Sequence, residues 1–221
     1  MRIDLLRHGE CLDKTIWLRG RTDSELSEKG WAQMTQQVAN LTSTRNYQTV
    51  ISSPAKRCLE FTKQACSNSH LSNNTPQVEQ SWQECNFGLF DGLTFEQVKA
   101  NYPNELESYL QDPFTYTIPQ AEGFKTFQTR IQQAWLALIE SANTSGNNSV
   151  LIITHGGPIR IVLQNVLGLS DKHLFNMQIG YASRVSIEVV MPEDSKHSNS
   201  QPFCKLVEIV QSPEEIFKDE S

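Results

Sequence analysis

The chain has no stretch of about 18 consecutive apolar residues, so no membrane-spanning helix is expected. Its opening apolar run, Ile3-Asp4-Leu5-Leu6, is interrupted by an acid and far too short for the apolar region of a secretory leader. Basic residues are in deficit. Lys and Arg number 19 against 25 Asp and Glu, and the net charge of −6 argues against a nucleic-acid partner. Cysteine is scarce and unpatterned: Cys11, Cys58, Cys66, Cys85 and Cys204 form no C-x-x-C pair and no zinc spacing. Their odd count argues against a full disulfide framework, and a reduced, cytoplasmic chain is the expectation. There is no D-x-D motif, no histidine ligand set and no internal repeat, so neither a metal nor another cofactor is expected.

What remains is ordinary for a folded domain. At 221 residues, 38% apolar and 20% charged, the chain can bury a core without staples and reads as one domain over 1–221. Short apolar runs at 2–6, 49–51, near Val78, and at 150–153, 184–191 and 203–210 predict strands. Between them the spacing predicts helices. Over 27–42, Trp31, Met34, Val38 and Leu41 share a face behind the cap Ser27. Ser53-Pro54 opens a second helix to about Cys66, and Thr94-Phe95-Glu96-Gln97 is a capping-box pattern leading short helices to 111. Phe127, Ile131, Trp135 and Leu138 mark a long helix over 124–142, and Gly156-Gly157-Pro158 opens one that ends at Gly168. Residues 67–76 read as a polar loop. Alternating strands and helices predict an α/β fold: a three-layer sandwich with a mainly parallel sheet of about six strands and helices on both faces.

Two strands end alike, at Arg7-His8-Gly9 and at Thr154-His155-Gly156-Gly157. Ligands in open parallel sheets bind beyond the carboxyl ends of strands, so neighbouring strands would put His8 and His155 over one crevice. The glycines let backbone approach a ligand, and the helix start after His155 suits an anion. Arg57 falls in the first turn of its helix, where a cation opposes the helix dipole, as expected of a residue placed to hold an anion. Arg7 and Arg57 would clamp a phosphate as forked donors. Glu84, in Trp82-Gln83-Glu84-Cys85-Asn86-Phe87-Gly88, brings a carboxylate to the same region, with Glu79 and Glu10 as alternatives. These residues meet the needs of phosphoryl transfer. Neutral His8 attacks phosphorus. Arg7, Arg57 and a protonated His155 neutralise phosphoryl oxygens, with Gly156 beside them as a binding position. Glu84 protonates the leaving oxygen and then activates water. On this reading Arg57→Ala should cut kcat/KM far more than stability. His70, His173 and His197 read as surface residues, and Cys11 and Cys85 as packing or incidental.

The combination resembles the histidine phosphatase superfamily, in the branch that includes cofactor-dependent phosphoglycerate mutases. Leu6-Arg7-His8-Gly9-Glu10, Gly20-Arg21-Thr22-Asp23, Ser53-Pro54-x-x-Arg57, Glu84 with Phe87-Gly88-x-x-Asp91-Gly92, and Thr154-His155-Gly156-Gly157 follow that family's order over about residues 1–190. The resemblance implies a phosphohistidine intermediate, a helical cap inserted over about 87–127, and, by analogy, a homodimer. The chain departs from the family after Cys11. Asp13-Lys14-Thr15-Ile16 stands where the family often has a phosphoryl-contacting asparagine, leaving Arg19 and Arg21 as candidates.

The 87–127 segment holds nine of the chain's nineteen aromatic residues and only two basic ones, Lys99 and Lys125, against six carboxylates. Some of these rings pack the cap onto the body. The balance disfavours a second strongly anionic group on the substrate and suits an aromatic leaving group. Ile118-Pro119-Gln120-Ala121-Glu122-Gly123-Phe124 resembles the corresponding segment of α-ribazole-5′-phosphate phosphatases. That implies a small-molecule phosphomonoester, α-ribazole 5′-phosphate of cobalamin nucleotide-loop synthesis, as substrate. The competing readings are a broad sugar or nucleotide phosphatase, a mutase-like enzyme, and a non-catalytic phospholigand-binding protein.

Overall fold

The computed structural model describes residues 1–67, 71–72, 74–192 and 202–212. Six strands form one sheet: β1 (Arg2–Arg7), β2 (Thr49–Ser52), β3 (Gln77–Val78), β4 (Ser149–Thr154), β5 (Arg184–Val190) and β6 (Phe203–Val210), in the order β3-β2-β4-β1-β5-β6. The first four run parallel, and β5 and β6 add an antiparallel edge. Strands β1 and β4 are central and covered on both faces, with Ile3, Leu5, Leu6 and Val150 to Ile153 fully buried, and the one acid of β1, Asp4, is buried with them and accepts from Arg45 Nη1 at 3.0 Å and Tyr47 Oη at 2.8 Å.

Helices α1 (Glu28–Thr42) and α2 (Lys56–Ser67) pack through Met34, Val38, Leu41 and Phe61 onto one face. Helices α5 (Phe124–Thr144) and α6 (Gly156–Leu167) pack through Phe127, Ile131, Trp135 and Ile139, spaced by four, onto the other. Ser27 caps α1 by accepting from Gly30 N, and Gly168 ends α6 at φ 64°. One boundary differs from expectation: α2 starts at Lys56 rather than Ser53, because the Ser53 hydroxyl is engaged with His155 at 2.7 Å.

The segment between β3 and α5 carries α3 (Phe95–Asn101) and α4 (Pro103–Gln111). Thr94 and Gln97 form the reciprocal capping box, and Pro103 begins α4 where its missing N–H costs nothing. This segment has its own apolar cluster of Phe90, Val98, Leu106 and Ile118, joined by Trp17, so the aromatics there divide between packing it and facing the crevice. All five cysteines are free. No helix of the described residues is long and apolar enough to cross a membrane. His70 and His197 lie outside the described residues; His173 is half-buried, its Nδ1 3.0 Å from Ser170 Oγ.

Candidate active site

Parallel pairing of β1 with β4 in the register Arg7 to Thr154 carries both strand ends to one place. His8 N donates to Thr154 O at 2.9 Å, and the His8 and His155 rings meet edge to face at 5.3 Å between centroids. On the other side of β4, Ser53 N donates to Ile153 O, which sets α2 and Arg57 beneath the same crevice. Glu84 arrives after the short 3-10 helix Gln80–Trp82, whose Trp82 carbonyl accepts from Thr154 Oγ1 at 2.7 Å. The structure thus gathers Arg7, His8, Arg57, Glu84 and His155 from four separate segments.

His8 is 4% exposed. Its Nδ1 lies 2.8 Å from its neighbour's carbonyl, Gly9 O, which takes the ring proton there and leaves the Nε2 lone pair open. Burial, with Arg57 and Arg7 close by, lowers its pKa well below the usual histidine value. The ring is therefore neutral at pH 7 and suited to nucleophilic attack. Arg7 is held by its Nη1 bond to Ile179 O at 2.5 Å and stacks on Tyr181 with 4.4 Å from guanidinium to ring centre.

His155 differs from expectation. Burial, then Arg57, His8 and Arg7, hold its pKa well below the usual value, and Arg57 Nε donates to its Nδ1 at 3.2 Å. The ring is neutral, and its Nε2–H faces Ser53 Oγ. A protonated ring there would stand against the Arg57 and Arg7 charges, and its Nδ1 could no longer accept from Arg57 Nε. Arg57 also has a second duty. It is fully buried, and its Nη groups donate to Thr22 O and Gly20 O, each at 2.8 Å. Those residues are ordered from the far side by Asp91, which accepts from Gly20 N, Arg21 N and Thr22 N at 3.2, 2.6 and 3.0 Å. Arg57 thus ties α2, His155 and the 20–22 turn together, and neither Arg57 nor His155 forms the cavity wall.

That cavity, of about 270 Å³, lies above His8 between the sheet end and the α3–α4 segment. Glu84 is the one carboxylate on its wall among the described residues. Its oxygens accept from Cys85 N at 2.9 Å and from Gly157 N at 3.0 Å. The start of α6, expected to serve a substrate anion, therefore holds this internal carboxylate. The alternatives to Glu84 fall away: Glu10 accepts from Ser27 Oγ and pairs with Lys14, both at 3.0 Å, and Glu79 is exposed and off the wall. Gly157, rather than Gly156, forms the wall.

Arg19 lines the cavity, with Nε to Ser24 Oγ at 3.0 Å and Nη1 to Tyr181 Oη at 3.4 Å, whereas Arg21 turns toward Glu122 and is off the wall. Two wall residues escaped sequence reasoning. Arg160 donates Nε to Met177 O at 2.9 Å, and burial lowers its pKa. It stands one helical turn past Gly156 and was legible from that spacing. Tyr181 comes from a loop pinned by Gln211, whose Oε1 accepts from Gly180 N at 3.0 Å, and nothing local signals it. Burial raises the thiols: Cys58 is pushed up to about 12, and Cys11, 3.7 Å from His8 Nδ1, also moves up, so both are protonated.

The profile of the histidine phosphatase superfamily (branch 1) matches residues 3–196. The chain belongs to that superfamily. Its enzymes are phosphatases and mutases, which is the chemistry the two facing histidines and their arginines suit. An inferred phosphoserine phosphatase of Hydrogenobacter thermophilus is 24% identical over 190 residues, 85% of this chain and 89% of that protein. A bifunctional protein of Mycobacterium tuberculosis is 27% identical over 183 residues, and this chain spans only 48% of its length. The solved structure of the alpha-ribazole phosphatase of Shigella flexneri superposes with a TM-score of 0.77 at 18% identity, over 94% of this chain and 95% of that one. Likeness at that identity speaks to the fold. The relatives therefore agree on the family and differ on the substrate named.

Proposed function

We propose that this protein is a phosphomonoesterase working through phosphohistidine at His8, and that its substrate is α-ribazole 5′-phosphate or a phosphomonoester of the same kind, with an aromatic, weakly charged leaving group. In the first step His8 Nε2 attacks phosphorus. The ester P–O bond breaks and Glu84 passes a proton to the leaving oxygen. In the second, Glu84 takes a proton from water as that water attacks the phosphohistidine, releasing phosphate and restoring His8. Arg7 faces the developing phosphoryl charge, Arg57 adds its charge from beneath while holding His155, His155 stands edge-on to the His8 ring, and Gly156 leaves room for the Arg7 and Arg160 side chains.

The observation that carries the substrate is the cavity lining. Phe87, Tyr109, Tyr116, Phe124 and Phe127 face the cavity, whereas Lys99 and Lys125, the two basic residues of the 87–127 segment, do not. Lys125 pairs with Asp171 at 2.5 Å instead. The part of the wall drawn from 87–127 is thus rings without lysine or arginine, which suits stacking on an aromatic base, while Arg7, Arg19 and Arg160 line the cavity from other segments. Arg160 supports a second reading, an acidic leaving group such as a phosphorylated amino acid, because its guanidinium lies on the wall, anchored through Nε to Met177 O.

One experiment tests both. The enzyme is turned over on α-ribazole 5′-phosphate, phosphoserine and p-nitrophenyl phosphate, quenched, and probed for acid-labile phosphate on His8. Label on His8 and a kcat/KM for the ribazole ester at least tenfold above the others support the proposal. Undiminished hydrolysis by His8→Ala refutes the mechanism, and a preference for phosphoserine selects the second reading.

A further inference from the structure

We propose that Arg130, in the second turn of α5 and off the cavity wall, is a positioning residue for Glu84. The role rests on the reading of Glu84 as proton donor and goes beyond it by saying what holds that donor in place.

Glu84 sits on a stretch without regular backbone bonding, and a loop-borne acid must still meet one ester oxygen. Misplacement by about 1 Å is enough to lose about 10²-fold in rate. The structure supplies the missing rigidity from one side chain. Arg130 Nη1 donates to Ser81 O at 2.7 Å and to Gln83 O at 3.0 Å. Its Nη2 donates to Glu84 O at 3.2 Å and to Glu122 Oε1 at 2.7 Å, and its Nε donates to Glu122 Oε2 at 3.1 Å. A guanidinium has five N–H donors, and all of them are used here. Three go to the backbone carbonyls at and just before Glu84. The other two hold Glu122, whose Oε1 also accepts from Asn86 N at 2.8 Å, just beyond Glu84. The loop is thus gripped on both sides of the acid, and the carboxylate itself is fixed by Cys85 N and Gly157 N. A lysine cannot reproduce this. It carries the charge but has three donors on a point, not five in a plane.

A residue that merely stabilised the fold would lower hydrolysis of all esters alike. A residue that aims the acid acts only where the leaving oxygen needs a proton. An alkoxide needs one and p-nitrophenolate does not, so the ratio of the two rates isolates the effect. In the full-length protein, kcat/KM for β-glycerophosphate and for p-nitrophenyl phosphate is measured for wild type, Glu84→Gln, Arg130→Lys and Glu122→Gln, with thermal melts alongside. The expected result is a loss of about 10²-fold on the alkyl ester with less than about threefold on the aryl ester for Arg130→Lys, in the pattern of Glu84→Gln. Equal losses on both esters, or none, overturn the positioning role while leaving Glu84 as acid. No leaving-group dependence in Glu84→Gln, or a wild type inert on both esters, refutes the underlying reading and the positioning role with it. If Arg130→Lys does not fold, Glu122→Gln carries the same comparison from the Asn86 side of the loop.

Discussion

Replacing Gly157 by alanine sets stability and activity against each other. A methyl group there would overlap Glu84 Oε1 and stand 3.0 Å from both Glu84 Cδ and Phe127 Cζ. The backbone of Gly157 is ordinary helix, so alanine fits the chain itself and gains up to about 1 kcal/mol of helix propensity over glycine. Phe127, 4% exposed, must give by a few tenths of an ångström, which offsets part of that gain. Net stability should stay within about 1 kcal/mol of wild type. The carboxylate, being the flexible end, must leave its place and lose the Gly157 N–H bond at 3.0 Å. Loss of general acid–base catalysis costs on the order of 10²–10⁴-fold in kcat. Urea melts beside kcat on an alkyl phosphate make the assay. A variant as active as wild type would show that Glu84 is not the proton donor. A variant that lost several kcal/mol would show that Gly157 serves packing.

Arg57→Ala should lose stability as well as activity, against the expectation from sequence, because Gly20 O, Thr22 O and His155 Nδ1 all lose a donor. At about 1–3 kcal/mol per buried unsatisfied group the drop should reach about 3 kcal/mol or more; an inactive variant with an unchanged melt would contradict it. His8 and His155 both have lowered pKa values in the folded chain, so below about pH 6.5 unfolding takes up protons and stability falls as pH drops. Each can contribute a slope of up to about 1.4 kcal/mol per pH unit, and urea melts between pH 7.5 and 5.5 that stayed level would refute the neutral assignment. Hydrolysis should continue in EDTA; loss restored by a divalent ion would overturn the proposed chemistry.

Much of the arrangement is legible in the amino-acid sequence. The apolar runs around Leu5 and Ile152 read as buried strands because both faces of a central parallel strand are covered. The ring spacing 127, 131, 135 read as a helix because each turn repeats the buried face. Arg7, His8 and His155 stood out because two strand ends shared one unusual composition. The division of labour was not legible. Nothing in Ser53-Pro54-Ala55-Lys56-Arg57 announces that the arginine donates backward to the 20–22 turn, or that Ser53 serves His155 before it serves the helix.

The order of residues thus carries the inventory and its approximate place: an α/β sheet, two histidines at strand ends, and arginines within reach. Local periodicity and motif order carry that much, since each depends on residues close along the chain. Tertiary structure alone decided which group bonds to which. The neutrality of His155 comes from burial beside Arg57, which is 98 positions away in the chain. The aim of Glu84 comes from Gly157 and Arg130, 73 and 46 positions away. Protonation and proton transfer depend on distances of a few ångströms between such groups, and those distances exist only once the sheet has brought its strands into register.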